Sequence, residues 1–542
     1  MEQKSKWPKL DRETTVFILF LIGMAVYYGW RMFALTPWYD ELYTYYYFIS
    51  RGPIYAAIHW PVPNNHMGYS VLSACLGIFG NSAVALRGIS YLCSIGGLIL
   101  LFRISRKCFD RGMALMPVFL YAGMKLTNQL AVQGRGYALV SFCYLTAIYA
   151  LIHITVEGRN KVRDYIIFGV CLVVALYTIP SSVYVVVPVC LIGGIMLLLN
   201  RQYRTLVRLV ITSLAGAVCT AGVYSIVWLA IGSNLLMKTE GSTYSGMGHI
   251  AIILHAPIQS LMTGAHYMLS TPYIQSVDRK EFASRFAGWL CGLLNEYYVG
   301  AAVVLAVLMG TCVLTVMISI VQRMKTGKDR ISSGEEQMKN QEAYDQFMEV
   351  YLAVGIISIP LMLIIQCSLP YYRVFSFAGI TVALAAAWLW QMVKRRLAER
   401  YASVIMLAGS LFTAVLCVVM LCTASYRAQY SDREAAIEDA YSQIDVVQAD
   451  KIAVTDCDQE YLLLFLYGIG EGSITRQPEE ADYVLADKFL LLNYDTDVID
   501  WGGDDWKLYL TPEQFEAAGV TRNMEAIYEN DRFILYCKKK QR

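Results

Sequence analysis

Two adjacent carboxylates, Asp40 and Glu41, stand in the segment TPWYDELYTYYYF at residues 36–48, directly after the first hydrophobic stretch. A carboxylate can act as a general base towards a hydroxyl group, or it can bind a cation. The simpler alternative is a solvated helix start, because acidic side chains favour helix N-termini. Neighbouring side chains on a helix diverge by about 100°, so the two can serve different partners. Their aromatic, membrane-level setting favours a functional pair.

Three arginines and a histidine are predicted to lie on the same side of the membrane as this pair. Arg87 in NSAVALRGIS, Arg135 in QLAVQGRGYAL and Arg373 in SLPYYRVFSF each border an apolar stretch. Arginines on that side run against the cytoplasmic bias of basic residues, although snorkelling at the membrane surface is an alternative explanation. Guanidinium groups match phosphate oxygens bidentately, so these arginines predict a phosphate site. His66 in PVPNNHMGYS joins them as a candidate, its alternative being an incidental histidine in a turn.

The composition indicates a multi-pass membrane protein. Of 542 residues, 56% are hydrophobic and only 16% are charged, which is too apolar for a soluble chain of this size. Several stretches approach the roughly 20 apolar residues that cross a bilayer. Basic clusters between these stretches alternate consistently with a cytoplasmic N-terminus. The predicted spans are residues 14–35, 83–104, 112–128, 136–155, 164–179, 181–199, 208–231, 294–322, 349–368, 371–392 and 401–424.

Residues 1–426 are therefore predicted to form a transmembrane domain with two large external loops, 36–82 and 232–293. Within the first loop, MGYSVLSACLGIFG at residues 67–80 is too short to cross the membrane and predicts an interfacial helix. The residues before it predict one or two short interfacial helices. Their tyrosines suit the level of the lipid headgroups.

Residues 427–542 predict a small α/β domain outside the membrane. A helix is expected near 432–449 and another in EYLLLFLYGI, with strands in KIAVTD and DYVLA. TPEQFEAAGV carries a capping box, and MEAIYENDRFILYC predicts a hairpin. Cys457 and Cys537 lie in this polar region and could pair, but two cysteines alone do not decide the question.

The order of these segments resembles the polytopic GT-C glycosyltransferases. TPWYDELYTYYYF, NNHMGYSVLSACLGIFGNSAVALRGIS, QGRGYAL and LPYYRVF are similar to segments of the family 39-like branch, which includes the protein O-mannosyltransferases and the lipid A aminoarabinose transferase. The resemblance implies an all-α polytopic membrane domain of GT-C type in the plasma (inner) membrane of a bacterial cell. Its active site and C-terminal α/β domain would be extracytoplasmic.

The resemblance also assigns roles to residues. Asp40 matches the catalytic carboxylate, with Glu41 supporting it, and the donor phosphate would be bound by Arg87, Arg135, Arg373 and His66. Trp38 stands where a lipid A-type enzyme has arginine, and the tail does not resemble the β-trefoil insertion of the mannosyltransferases. Both departures leave the acceptor open among lipid, glycan and protein.

The chemistry expected from this pattern is transfer of a monosaccharide from a polyprenyl phosphate to an acceptor hydroxyl. Arginines would neutralise the departing phosphate, and a single carboxylate would serve as general base, giving inversion at the anomeric carbon. No nucleotide-binding or nucleic-acid-binding pattern is present. No cofactor is required, although the two carboxylates could hold a divalent cation. The alternative is a transporter or flippase of lipid-linked sugars, which should show internal repeats and mid-membrane polar residues that this sequence lacks.

Overall fold

A computed structural model describes residues 11–60, 65–159, 161–233, 254–270, 277–326, 336–423, 432–492 and 507–539. The chain divides into two compact units. The first unit contains Met1–Met32, Ala57–Leu72 and Arg87–Ser425. The second unit contains Phe33–Ala56, Ser73–Leu86 and Tyr426–Arg542, so it combines the tail with two segments of the predicted first external loop.

The described residues up to 423 are mostly helical. The helices are α1 (Arg12–Ala34), α2 (Tyr39–Tyr47), α3 (Pro53–Ile58), α4 (Met67–Leu76), α5 (Ser82–Cys108), α6 (Leu115–Gly123), α7 (Lys125–Leu130), α8 (Tyr137–Thr155), α9 (Val162–Thr178), α10 (Val183–Leu199), α11 (Tyr203–Gly232), α12 (Pro257–Ser270), α13 (Arg279–Tyr297), α14 (Ala302–Thr326), α15 (Glu336–Gln366), α16 (Ala378–Arg395) and α17 (Glu399–Thr423).

Eight of these helices are long and apolar enough to cross a membrane, judged over the described part of the chain: α1, α5, α8, α10, α11, α14, α15 and α17. Each coincides with one of the eleven predicted spans, which supports a multi-pass membrane protein. The remaining three predicted spans correspond to the short pair α6 and α7, to the 17-residue α9 and to the 18-residue α16. The short helix predicted at residues 67–80 is also present as α4, followed by a 3₁₀ turn.

The prediction of one continuous helix over residues 112–128 is wrong, because the backbone turns to an extended conformation at Met124 (φ −68°, ψ 133°). The Asn128 side-chain amide donates to the carbonyls of Ala122 (2.5 Å) and Met124 (2.9 Å), and the Met124 carbonyl also accepts the Asn128 backbone N–H at 3.0 Å. Two other predicted spans begin before the helices that they correspond to. Gly300, at φ +76°, separates α13 from α14 inside the predicted span 294–322. A 3₁₀ turn at Tyr372–Phe375 precedes α16.

The predicted second external loop contains helices. α12 lies within residues 232–293, and α13 begins there and continues to Tyr297. Residues 234–253 and 271–276 of that loop lie outside the described residues.

The tail has the α/β pattern expected from its sequence. It contains α18 (Asp432–Tyr441), β1 (Ile452–Ala453), α19 (Cys457–Leu466), β2 (Ile474–Thr475), β3 (Tyr483–Asp487), α20 (Pro512–Ala517), α21 (Val520–Asn523), β4 (Met524–Glu529) and β5 (Phe533–Lys538). The strands form one sheet in the order β2-β1-β3-β5-β4, with β1 parallel to both neighbours and the β4–β5 hairpin antiparallel.

Local sequence signals in the tail are confirmed. Thr511 Oγ1 accepts the Gln514 N–H at 3.3 Å, and Gln514 Oε1 accepts the Thr511 N–H at 2.8 Å, which completes the predicted capping box. Cys457 and Cys537 are both free thiols. The short strand β2 was not predicted, because two residues give no periodicity to detect.

Buried charges hold the second unit together. The Arg433 guanidinium pairs with Asp456 (2.6 Å), Asp458 (2.5 Å) and Asp487 (3.4 Å), and Arg532 also pairs with Asp487 (2.9 Å). Removing one partner from such a buried cluster would leave uncompensated charge and cost about 3–5 kcal/mol. Arg433 therefore ties α18 to the start of α19 and the end of β3.

The tyrosines of α2 pack on side chains of the tail, and their position at the headgroup level stays a prediction. Tyr461 of α19 stacks on Tyr46 with ring centroids 4.8 Å apart, and Phe465 meets the Tyr45 ring edge-on at 5.0 Å. The two helices share an apolar core that includes Leu42 and Leu462. An amphipathic tyrosine suits a protein interface as well as a membrane surface, so the sequence pattern alone did not distinguish the two.

Candidate functional site

Asp40 and Glu41 occupy the first turn of α2 but have different surroundings. Glu41 is fully buried, and its Oε2 accepts the backbone N–H of Trp38 at 3.3 Å. It therefore caps the start of its own helix, but from a buried position and not from the solvated one that the simpler interpretation assumed. Asp40 is partly exposed, and its backbone carbonyl accepts from Thr44 Oγ1 at 2.6 Å. Of the two residues, Asp40 is the more exposed.

His66 and Arg135 meet in the first unit. Nδ1 of His66 accepts the Gly136 N–H at 2.9 Å, and its Nε2 lies 3.2 Å from Arg135 Nη2. Because Nδ1 accepts, a neutral ring carries its proton on Nε2, so two donor groups face each other. An anionic oxygen placed beside both would accept from each.

Arg373 adds a second guanidinium group near His66. Burial lowers the pKa of His66 well below its usual value, and the positive charges of Arg135 and Arg373 lower that pKa further. Arg373 lies on the 3₁₀ turn before α16, with its guanidinium carbon 4.8 Å from the centre of the Tyr371 ring. The structure thus brings together three of the four predicted phosphate-binding residues.

The loop that carries Arg135 is held by serines of α5. Ser90 Oγ donates to the Gln133 carbonyl at 2.5 Å and lies 3.2 Å from the Arg135 carbonyl. One turn further along α5, Ser94 donates to the Ala131 carbonyl at 2.9 Å. Side-chain bonds to alternate carbonyls of this segment give it a defined conformation.

Arg87, the fourth predicted residue, lies on the same face of α5 as Ser90, because residues three apart on a helix are neighbours. Its side chain is only 2% exposed, and Nη1 donates to the Met32 carbonyl at 3.1 Å. Arg87 therefore stands one turn from the serine that holds the Arg135 loop.

Gly136 allows the close approach on which this site depends. A Cβ atom at this position would collide with the Cγ2 methyl of Thr178, at the end of α9, and would lie 3.3 Å from His66 Nδ1. A substitution would therefore displace the ring that Gly136 binds through its N–H.

We expect Gly136→Ala to weaken donor binding and lower the unfolding temperature, since overpacking a tight site costs about 1–3 kcal/mol. Thr178→Ser removes the colliding methyl and should restore much of both quantities in the double variant. Gly23→Ala is the control, because nothing lies within 4 Å of a Cβ at Gly23. Full donor affinity in Gly136→Ala would contradict this account of the site.

Sequence reasoning missed Ser90, Gly136 and Thr178 as positioning residues. The glycines on both sides of Arg135 in QGRGYAL were a usable signal, because glycine often marks a close backbone approach. Ser90 and Thr178 gave no signal, since hydroxyl residues are common in apolar helices. No group of three or more His, Cys, Asp or Glu side chains suited to a metal ion occurs among the residues that the structure describes.

The fold and the segments of the site resemble the GT-C glycosyltransferases, as predicted. The family model for dolichyl-phosphate-mannose-protein mannosyltransferase matches residues 65–228, which include His66, Arg87 and Arg135. No curated protein matches the chain significantly in sequence.

A particular structural relative is ArnT from Cupriavidus metallidurans bound to undecaprenyl phosphate. It is 11% identical, has a TM-score of 0.51, and the match covers 96% of this chain and 98% of that one. This likeness confirms the fold class. Archaeal oligosaccharyltransferase AglB from Archaeoglobus fulgidus, in complex with an inhibitory peptide and a dolichol-phosphate, is 12% identical with a TM-score of 0.43, over 98% of this chain and 75% of that one. At that score it adds no evidence for the fold.

Proposed function

We propose that this protein is a membrane glycosyltransferase that moves a monosaccharide from a polyprenyl-phosphate donor to an acceptor hydroxyl on the outer face of the membrane. The observation that carries the proposal is the group formed by His66, Arg135 and Arg373, in which donor groups face each other at 3.2 Å. A phosphate oxygen would accept from both His66 and Arg135. The solved complex of ArnT with undecaprenyl phosphate supports a ligand of this class.

The first unit also offers space for an apolar chain. A cavity of about 510 Å³ lies among α6, α14, α16 and α17, and almost all of its surface is apolar. Its lining includes Leu120, Leu305, Val382 and Phe412. A prenyl tail would gain about 25 cal/mol for each Å² of apolar surface removed from water.

In the proposed reaction, Asp40 accepts the proton of the acceptor hydroxyl as that oxygen attacks the anomeric carbon. The bond from the anomeric carbon to the phosphate oxygen breaks, and the lipid phosphate leaves with the electron pair. Arg87, Arg135, Arg373 and His66 stabilise the charge on the departing phosphate, and one direct displacement inverts the anomeric centre. Glu41 supports this arrangement by capping the helix that carries Asp40.

Mass spectrometry of the cell envelope tests the proposal. In cells lacking the gene we expect one polyprenyl-phosphate sugar to accumulate, and one lipid, glycan or protein to lose the corresponding sugar. An unchanged set of glycosylated products, with lipid-linked sugars held on the wrong leaflet, would instead support a transporter. The same cells, complemented with the chain, also locate the protein at the plasma membrane or elsewhere.

Transfer by the purified protein tests whether the reaction requires a divalent cation. Glu41 is directed to the Trp38 amide, which leaves Asp40 as the accessible carboxylate of the pair. One accessible carboxylate is a weak cation site, so we expect transfer to continue after chelation with EDTA. Loss of transfer that Mg²⁺ or Mn²⁺ restores would show that a cation is required.

A further inference from the structure

We propose that the tail takes part in catalysis by fixing the start of α2, with Glu434 and Glu438 of α18 as positioning residues for Asp40. This inference rests on the proposed function, because it concerns the residue that would act as general base. It gives the tail a role in the reaction itself. All the contacts that support it lie within the second unit.

Two carboxyl groups of α18 bind the chain immediately before Asp40. Glu434 Oε1 accepts the Tyr39 backbone N–H at 2.8 Å, and Glu438 Oε2 accepts from Thr36 Oγ1. Glu434 and Glu438 are four residues apart, so they lie on one face of α18. Tyr39 is the first residue of α2, where the N–H group has no partner within the helix.

These contacts determine where the Asp40 side chain points. The Tyr39 amide is bound by Glu434 and the Trp38 amide by Glu41, so the backbone on the N-terminal side of Asp40 is restrained at two successive residues. A shift of about 1 Å in a catalytic group can cost about 100-fold in rate. A small rotation at the start of α2 would therefore matter.

Glu434 is deeply buried. Its side chain is 1% exposed, and within the described residues its Oε2 has no hydrogen-bond partner. Burial raises the pKa of Glu434 to about 8, and the nearby Asp458 carboxylate raises it in the same direction. Burial thus favours the neutral acid, and glutamine is a close mimic that keeps an oxygen for the Tyr39 amide.

The tail also contacts the tyrosine side chains of α2, including that of Tyr39. Tyr461 of α19 packs against Tyr39 at 6.4 Å and against Tyr46 at 4.8 Å between ring centroids, and its hydroxyl donates to the Tyr47 hydroxyl at 3.2 Å. Lys507 Nζ lies 4.8 Å from the centre of the Tyr39 ring. The polar contacts of α18 therefore act on a helix whose remaining length is already packed, and they fix its first turn.

Glu434→Gln and Glu434→Met form a matched pair that separates positioning from folding. Both remove the titratable group at nearly equal volume, but only glutamine can accept the Tyr39 N–H. We expect Glu434→Gln to retain kcat within about two-fold, and Glu434→Met to lower kcat about 10- to 100-fold with unchanged donor affinity. Glu525→Gln, on the exposed face of β4, is the control and should have no effect. Wild-type kcat in Glu434→Met would overturn the proposal.

Thr36 provides a second pair should Glu434→Met fail to fold. Thr36→Ser keeps the hydroxyl that donates to Glu438, whereas Thr36→Val removes it at similar volume. We expect kcat to fall only in Thr36→Val, with donor affinity and unfolding temperature unchanged. Equal kcat in the two variants would overturn the role of Glu438.

Hydrogen exchange distinguishes failure of this proposal from failure of the proposed function. The peptide containing Tyr39 should exchange at least about 10-fold faster in Glu434→Met than in Glu434→Gln, because its N–H loses its acceptor. Faster exchange in Glu434→Met than in Glu434→Gln would support the contact between Glu434 and the Tyr39 amide. If the wild-type protein nevertheless transferred no sugar, the proposed reaction would be rejected and the contact retained. Equal exchange in the two variants would reject the positioning contact.

Discussion

Replacement of Asp40 by asparagine is expected to reduce sugar transfer by about 10²- to 10⁴-fold, the range that a general base contributes. The amide has nearly the same shape but cannot take the acceptor proton. Because Asp40 is partly exposed, the substitution should leave the unfolding temperature and donor binding unchanged. The measurement is single-turnover transfer by the purified full chain, with unfolding followed in the same detergent.

Glu41→Gln is the matched comparison for Asp40→Asn. Glu41 accepts the Trp38 N–H, and a glutamine oxygen can do the same, so this variant should retain most of the activity. Full transfer by Asp40→Asn would refute the assignment of the base. A complete loss in Glu41→Gln, with Asp40→Asn active, would transfer that role to Glu41.

Replacement of Arg135 by alanine is expected to weaken donor binding by about 10- to 100-fold, because hydrogen bonds to charged groups contribute about 1.5–3 kcal/mol. The lost interaction is a guanidinium contact with the lipid phosphate, so the effect should appear with undecaprenyl phosphate alone and with the complete donor. Arg135→Lys keeps the charge without the bidentate geometry and should have an intermediate affinity. Equilibrium binding of the labelled lipid phosphate in detergent gives these affinities.

Two further arginine variants test whether the loss of lipid-phosphate binding is specific to the proposed site. Arg87→Ala should also weaken binding, since Arg87 is buried one turn from the serine that holds the Arg135 loop. Arg103→Ala changes an exposed arginine near the other end of α5 and should leave affinity unchanged. Unchanged lipid-phosphate affinity in both Arg87→Ala and Arg135→Ala would rule out the proposed phosphate site.

Signals that act over a few residues were predictable from the sequence. The eight long apolar helices are recognisable because a bilayer demands about 20 apolar residues in succession. The Thr511–Gln514 capping box and the β4–β5 hairpin are also local, since their bonding partners are close in sequence. The break at Met124 was not predictable in this way, because the apolar pattern continues through it, and the bonds of the Asn128 side chain to the Ala122 and Met124 carbonyls become visible only in the structure.

The sequence also identified the candidate site residues by their types and their places at the ends of predicted spans. It could not show that Arg135 faces His66, which is 69 residues away. Nor could it show that Ser90 binds the loop that carries Arg135. Such contacts depend on how separate helices pack, and a hydroxyl or glycine in an apolar helix gives no indication of its neighbour. Gly136 acquires its importance only through Thr178 of α9.

By itself, the sequence determined which groups and elements are available to this protein. These are a carboxylate pair beside an apolar span, arginines predicted on the outer side of the membrane, helices that suit a membrane and an α/β tail. These properties belong to residue types and to short periodic patterns, so they are readable without a fold. Only the tertiary structure decided that Glu41 is buried while Asp40 is partly exposed, and that Glu434, 395 residues after Tyr39, accepts its amide hydrogen. The physical reason is that burial and hydrogen-bond partners are properties of packing between distant segments, and packing divides two adjacent carboxylates into a structural group and a candidate base.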